Sequence, residues 1–395
     1  KYNFDIVGIS CSYSINYLSS IMVAEICKNI NKDCIVVVGG MHASVVPDDF
    51  AFKGSLFDFI IIGEGEKALL KICQSEIKKN SLPRKIIGEP INPNNVSTPN
   101  FREYRYFHLL NHYTIPYSLS RGCPYKCSFC IESIKLVANY RSFPVKKVAQ
   151  QIQKTVYDLG IKKIQFIDPC FGFRKEWRKA FLNSLIKMKI KCILELSTRI
   201  DVLDKEDIEL LSRLNIQYLF LGLEHACPKM LLLMQKTKNP EAYLAKAKRV
   251  LRDLNEKDIP NKLLLIFNHP GETKKSILEG TQFLDSIFTK LKSISTVILP
   301  KNYFLTPGTK TYYNLKKYER EFGTIVKYNR WWEEPCFDQY NLAIDILPSK
   351  DLYDENAKDS WKNPVNDLKN ICISRRTNNF LAFEKGSEIL LGKKI

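Results

Sequence analysis

Three cysteines dominate the chemistry that this sequence could carry. Cys123, Cys127 and Cys130 lie within eight residues, in the run SRGCPYKCSFC, with three residues between the first two and two between the last two. Three thiolates converging from one loop repel one another and are costly to hold together unless a metal or cluster neutralises them. Zinc usually takes four ligands in pairs, and no second CxxC or HxxxH pair follows. Three cysteines suit a 4Fe–4S cluster that keeps one iron open for a substrate or cofactor. The chain has 12 cysteines in 395 residues, too few for a disulfide scaffold. The nine others, among them Cys27, Cys34, Cys73, Cys192 and Cys372, sit singly in apolar surroundings and read as small buried hydrophobes of a reducing compartment.

The elements that must position this loop are legible around it. The loop follows a strand-like stretch, Thr114–Ser120, and an Arg121-Gly122 turn. From Thr114 onward short apolar runs alternate with helical patterns, which predicts parallel βα units. The expected strands are Ile115–Ser120, Lys163–Ile167, Cys192–Ser197, Tyr218–Gly222, Leu263–Phe267 and Ser295–Leu299. Val145, Val148, Ile152, Val156 and Leu159 make one helical apolar face, and Ile277, Leu284, Ile287 and Leu291 another. Asn239-Pro240 and Thr273 read as helix starts. Six such units predict an open, partial (β/α)6 barrel, in which functional groups sit at the C-terminal strand ends. Polar residues fall there repeatedly: Asp168, Ser197-Thr198-Arg199, Glu224, His269-Pro270-Gly271-Glu272-Thr273 and Thr306-Pro307-Gly308-Thr309.

Upstream lies a different α/β block. Phe4–Ser10, Cys34–Gly39 and Phe57–Gly63 read as buried parallel strands, with Tyr17–Ile30 a helix between the first two. Gly39, Gly40, Gly63 and Gly65 follow the strands, where a bulky cofactor could approach backbone at the carboxyl edge of a doubly wound, Rossmann-like sheet.

The cysteine loop, with STRIDVL, FLGLEHACPKML, HPGET and TPGT in this order, resembles the radical SAM superfamily. DIVGISCSYS, VVVGGMHAS and DFIIIGEGE before it resemble the cobalamin-binding domain of cobalamin-dependent radical SAM enzymes. The resemblance implies that Cys123, Cys127 and Cys130 hold the 4Fe–4S cluster. It places Ser197, Arg199 and Glu224 on S-adenosylmethionine (SAM), the last two at its ribose or methionine part, and the Phe129 backbone near the adenine. Ser10, Ser12, Gly39, Gly40, His42, Gly63 and Gly65 are expected around cobalamin. The family's DxHxxG loop, which supplies a histidine to cobalt, is absent: Gly40 precedes His42 by two residues and Val45 follows it by three. His42 is therefore expected near the cofactor or in a structural role, not as a cobalt ligand. The usual domain has about five strands and this chain opens near the third, so the domain is expected to be N-terminally incomplete.

The implied activity is reductive cleavage of SAM to a 5′-deoxyadenosyl radical, followed by cobalamin-dependent methylation of an unactivated carbon. Hydrogen abstraction needs no general base, and no catalytic side chain is assigned. Cobalamin-associated rearrangement or cyclisation is the alternative within the family. A tRNA methylthiotransferase would carry three further cluster cysteines upstream, and Cys11, Cys27 and Cys34 do not gather on one loop edge. A degenerate binding scaffold would show no turnover.

The expected organisation is a cobalamin-binding-like domain over 1–88, a Pro- and Asn-rich linker over 89–112, the barrel over 113–312 and a C-terminal extension over 313–395. In the extension Trp331, Trp332, Glu333, Glu334, Pro335, Cys336 and Trp361 lie in an irregular stretch, read as packing against the open barrel. No apolar run reaches the roughly 18 residues of a membrane span, and a cytoplasmic location is expected. The net charge of +18 is scattered over helix surfaces such as KKVAQQIQK. With no recognised nucleic-acid module, it reads as a solvated surface rather than an RNA or DNA site. Expected partners are a small-molecule or peptide substrate and an electron donor such as flavodoxin or ferredoxin.

Overall fold

The computed structural model describes residues 4–78, 81–96, 101, 114–134, 140–288, 296–326, 346–352, 380–384 and 387–391. Its N-terminal sheet is parallel, in the order β1 (Ile6–Ser10), β2 (Ile35–Gly39), β3 (Phe59–Ile62), β4 (Lys85–Ile87). The alternation of a strand explains how one run of valines builds two cores. Val36 and Val38 join Tyr17, Phe50 and Ile60 on one face, whereas Val37 meets Ile61, Ala68 and Ile72 on the other. Both faces are covered, which is why these strands read as continuous apolar runs rather than alternating ones. The helix Tyr17–Ile30 stands where the sequence places it. The sequence reading missed β4, three residues long with both ends exposed, because so short an edge strand has no periodicity to read.

Between the two sheets, β6 (Ser120–Arg121) and β7 (Arg141–Ser142) form a short antiparallel ladder beside the cysteine loop. The second sheet is a six-stranded parallel array in the order β12 (Thr296–Asn302), β11 (Asn261–Phe267), β10 (Ile216–Glu224), β9 (Ile193–Arg199), β8 (Lys163–Phe166), β5 (Ile115–Tyr117). Spatial order follows chain order, as successive βα units of a partial barrel require. Val148, Ile152 and Val156 of the helix Val145–Leu159 are buried, and Gly160 ends that helix at φ 65°. Asn239 caps the helix Pro240–Glu256 by accepting from the Ala242 amide at 3.0 Å. Thr273 accepts from the Ser276 amide at 3.2 Å at the start of the helix Lys274–Phe288. Leu291, expected on that helix's apolar face, lies outside the described residues.

Part of the C-terminal extension packs on the barrel. The Gly271 amide donates to the Pro348 carbonyl at 2.8 Å, and the Ser349 hydroxyl donates to the Glu272 carbonyl at 2.5 Å. Trp331, Trp332, Glu333, Glu334, Pro335, Cys336, Trp361 and Cys372 lie outside the described residues, as does most of the stretch between 97 and 113. Among the described residues no helix is long and apolar enough to cross a membrane.

Candidate functional site

The cysteine loop leaves β6 and runs across the C-terminal mouth of the barrel. Cys123 and Cys130 are half-buried and Cys127 is buried, and none is in a disulfide. Burial pushes the Cys123 thiol up to about 11 and the Cys130 thiol up to about 12, and the neighbouring cysteines push in the same direction. Thiolates this disfavoured need a cationic group to form, which is what iron supplies. Among the described residues no three His, Cys, Asp or Glu side chains converge tightly enough for one metal ion. A cubane cluster differs from a single ion in giving each thiolate its own iron, so three cysteines from one loop fit it better.

Arg199, at the end of β9, is tied to this loop. Its Nε and Nη2 donate to the two Asp201 carboxylate oxygens, each at 2.9 Å, and Nη2 also donates to the Lys236 carbonyl at 2.8 Å. Nη1 lies 3.5 Å from Cys127 Sγ, and the guanidinium carbon sits 3.7 Å from the Tyr125 ring centroid. Burial opposes the charge, but Asp201 outweighs it and the arginine's pKa is raised. The structure thus gives Arg199 the task of bracing the cysteine loop. It does not pair with Glu224.

Glu224 pairs instead with Lys236, 3.0 Å away and only 3 % exposed. The β10–β11 register shifts between Gly222 and Glu224, and Glu224 adopts φ 70°. Such a bulge re-aims a side chain at a strand end. Gly222 leaves room for that carboxylate: a Cβ there would stand 2.4 Å from Glu224 Oε1 and displace it. Ser197 is half-buried on β9 and its carbonyl accepts from the Phe171 amide at 2.9 Å. Phe129 packs its ring against Cys227, Met230 and Met234, while the preceding Ser128 amide donates to the Met234 carbonyl at 2.8 Å.

Other strand-end motifs turn out to be bracing. Asp168 accepts from the Leu119 amide at 3.1 Å and from the Ser120 hydroxyl, holding the approach to the cysteine loop. Burial raises its pKa to about 6 against those hydrogen bonds. In HPGET, Glu272 is fully buried and meets His225 Nε2 at 2.8 Å. His225 Nδ1 accepts from the Cys227 amide, so Nε2 carries the proton shared with Glu272. His269 lies 3.4 Å from the Thr311 hydroxyl, which donates to Ser128 at 3.2 Å. The run from His269 to Thr311 therefore stitches the last strands to the residue beside Cys127.

The N-terminal sheet faces this mouth across a cleft of 710 Å³. Ser10, Gly39, Gly40, Gly63 and Gly65 line one wall, together with Gly8, while Cys123, Ser118 and Ser120 line the other. Gly8 and Gly65 leave room: a Cβ on Gly8 would meet nothing within 4 Å, and one on Gly65 only Ile61 at 3.9 Å. A wall of missing side chains suits a flat, bulky ligand. Two expected residues are placed elsewhere. Ser12 is exposed, its hydroxyl 3.0 Å from that of Ser10, and does not line the cleft. His42 is fully buried behind the wall. Its Nδ1 meets the Ser14 hydroxyl at 2.9 Å, its Nε2 meets Asp49 at 3.1 Å, and its ring packs edge-on against Tyr17 and Phe50. Both ring nitrogens are paired inside the N-terminal core, and the His42 side chain does not line the cleft.

Several site residues escaped the sequence reading. Lys236 lies in no motif, and Tyr125 and Asp201 sit inside SRGCPYKCSFC and STRIDVL without a signal of their own; all three matter through Glu224 and Arg199. Glu132, a carboxylate on the cleft wall whose pKa burial raises, was masked by its position after the cysteines. Glu64 and Glu66 lie inside GEGE, where the glycines carry a backbone signal and the glutamates carry none. Arg121 and Arg141 stand on β6 and β7 and grip those two glutamates.

A family model described as the radical SAM superfamily matches residues 117–284, and one described as a B12 binding domain matches residues 1–72. An uncharacterised methyltransferase of Pyrococcus horikoshii is 27% identical over 259 residues, covering 61% of this chain and 56% of that protein. The anaerobic magnesium-protoporphyrin IX monomethyl ester cyclase of Rubrivivax gelatinosus is 26% identical over 302 residues, 70% of this chain and 53% of that one. Among solved structures, the radical S-adenosylmethionine methyltransferase TsrM of Kitasatospora setae, with tryptophan and a SAM analogue bound, superimposes with a TM-score of 0.75 at 16% identity, covering 98% of this chain and 81% of that one. That likeness carries the fold. The chain spans about half the length of the curated relatives it matches.

Proposed function

The chain belongs to the cobalamin-dependent radical SAM enzymes, and from that premise we propose that it methylates an unactivated carbon of a small-molecule or peptide substrate. The observation that carries this reading is the shared cleft: Cys123 of the cluster loop and the glycine wall of the N-terminal sheet address the same 710 Å³. When bound, the 4Fe–4S cluster supplies the electron that cleaves SAM to a 5′-deoxyadenosyl radical, and cobalamin supplies the methyl group.

Cys123, Cys127 and Cys130 would hold the cluster. Arg199 braces Cys127 and places a positive charge 3.5 Å from its sulfur. Ser197, the Glu224–Lys236 pair and the Phe129 backbone are the groups at the barrel mouth suited to orient the polar parts of SAM. Ser10, Gly39, Gly40, Gly63 and Gly65 would let cobalamin approach backbone. The apolar wall that Ile9, Val37, Ile61, Leu69 and Ile167 add keeps water from a reactive radical. An acidic flavodoxin or ferredoxin in the cytoplasm fits the +18 surface as the electron donor.

The test is the absorption spectrum and iron content of anaerobically purified protein. About four irons per chain, as one 4Fe–4S cluster requires, with a corrinoid spectrum, is the expected result. Iron without corrinoid uptake would refute the methyltransferase reading and leave SAM cleavage standing. Replacing all three loop cysteines by Ala should abolish 5′-deoxyadenosine formation; continued formation would refute the cluster assignment.

A further inference from the structure

In the β6–β7 ladder Arg121 and Arg141 are direct cross-strand partners. Like charges in that position destabilise a strand pair, and this pair has only two residues on each strand with which to resist. The compensation comes from the other sheet. Glu64 meets Arg121 at 3.3 Å through one oxygen and Arg141 through the other, and Glu66 meets Arg121 at 2.5 Å. Glu64 also accepts from the Ile91 amide at 2.8 Å, and Arg141 donates to the Ile91 carbonyl, so the connecting segment is gripped as well. The segment that carries Ile91 also approaches the Glu64 backbone closely: a Cβ on Gly88 would stand 1.9 Å from the Glu64 carbonyl oxygen.

All four charged side chains line the cleft. Arg121 is two residues from Cys123, while Glu64 and Glu66 alternate with Gly63 and Gly65 of the glycine wall. If the N-terminal sheet retreats, the two arginines face each other uncompensated and the ladder that launches the cysteine loop loses its reason to pair. We propose that Glu64, Glu66, Arg121 and Arg141 form an inter-domain latch that couples occupation of the cobalamin cleft to the geometry of the cluster loop. They are positioning residues, acting on the chemistry through the loop and the wall. The coupling is reciprocal, as binding linkage demands: what orders the loop tightens the cleft, and what fills the cleft orders the loop. The ligand half of this inference rests on the proposed function; the contact half does not.

The test uses the full chain carrying Glu64→Gln with Glu66→Gln, an Arg141→Gln variant, and Glu89→Gln as a surface control. In the cofactor-free protein, hydrogen exchange of the amides between Arg121 and Cys130 should quicken about tenfold or more in the first two, as loss of a partly buried charge partner implies. Exchange at 59–66 should quicken with it, and the control should match the parent. Loop exchange unchanged by Glu64→Gln with Glu66→Gln would overturn the latch. In the parent, hydroxocobalamin should bind at least about fivefold more tightly when the cluster is reconstituted, and that ratio should fall to one in the double variant. A ratio of one in the parent, or a ratio that survives the substitutions, would overturn the coupling. A parent that takes up no corrinoid refutes the proposed function, and the exchange result then decides the latch by itself.

Discussion

Replacing Gly8 by Val separates the cofactor wall from the fold that makes it. Gly8 pairs with Val37 in the middle of β1, lines the cleft, and would present a Cβ to empty space. A β-branched residue in a strand avoids the entropy that glycine loses on folding, about 0.5–1 kcal/mol. The cofactor-free variant should therefore melt no lower than its parent. The same isopropyl group projects into the cleft, where forcing extra methyl groups against a packed ligand costs about 1–3 kcal/mol. Hydroxocobalamin affinity, followed by absorbance titration, should fall about 5- to 150-fold. Gly40→Ala makes the opposite case. Gly40 sits at φ 93° and ψ −178°, and a Cβ there would stand 2.7 Å from the Cys11 carbonyl oxygen. Backbone of this kind is essentially restricted to glycine and costs other residues about 1–3 kcal/mol before any clash. The cofactor-free Gly40→Ala protein should melt at least about 2 °C below the parent. A Gly8→Val protein that melts well below the parent, or binds corrinoid as tightly, would refute this division between wall and scaffold.

Asp168 should give the stability a pH signature. Its folded pKa of about 6 lies above the usual 3.8, so its contribution is fully present below pH 3.8 and is lost as pH rises through 6. Between pH 4 and 7 the stability of Asp168→Asn should rise relative to the parent by up to about 3 kcal/mol, read from urea midpoints; a flat difference would contradict the burial argument. Lys236→Met alone leaves Glu224 without its partner at a mostly buried strand end and should cost about 3–5 kcal/mol. Adding Glu224→Gln should restore part of that loss, and equal stability of single and double variants in urea would deny the pairing. Arg199→Lys forfeits the two-pronged contact with Asp201 and the stacking on Tyr125. Cluster loading, read as iron content after anaerobic reconstitution, should fall with it; loading equal to the parent's would remove Arg199 from the brace on the cysteine loop.

Much of this molecule is written locally. The cysteine spacing, the six βα units, the caps at Asn239 and Thr273 and the glycines after β2 and β3 follow from periodicity, backbone freedom and thiolate chemistry, which depend on near neighbours in the chain. What tertiary structure alone decided is which charges meet. Arg199 and Glu224 each had a free choice of partner on paper. Folding gave the first Asp201 and Cys127 and the second Lys236, because a bulge at Gly222 turned the strand end. His42, close to two cleft glycines in sequence, is turned into the N-terminal core by Ser14 and Asp49. Glu64 and Arg141 are 77 residues apart and have no pattern in common, yet they bridge the two sheets. Ion pairs across a domain boundary depend on rigid-body placement, and no spacing along one chain encodes that.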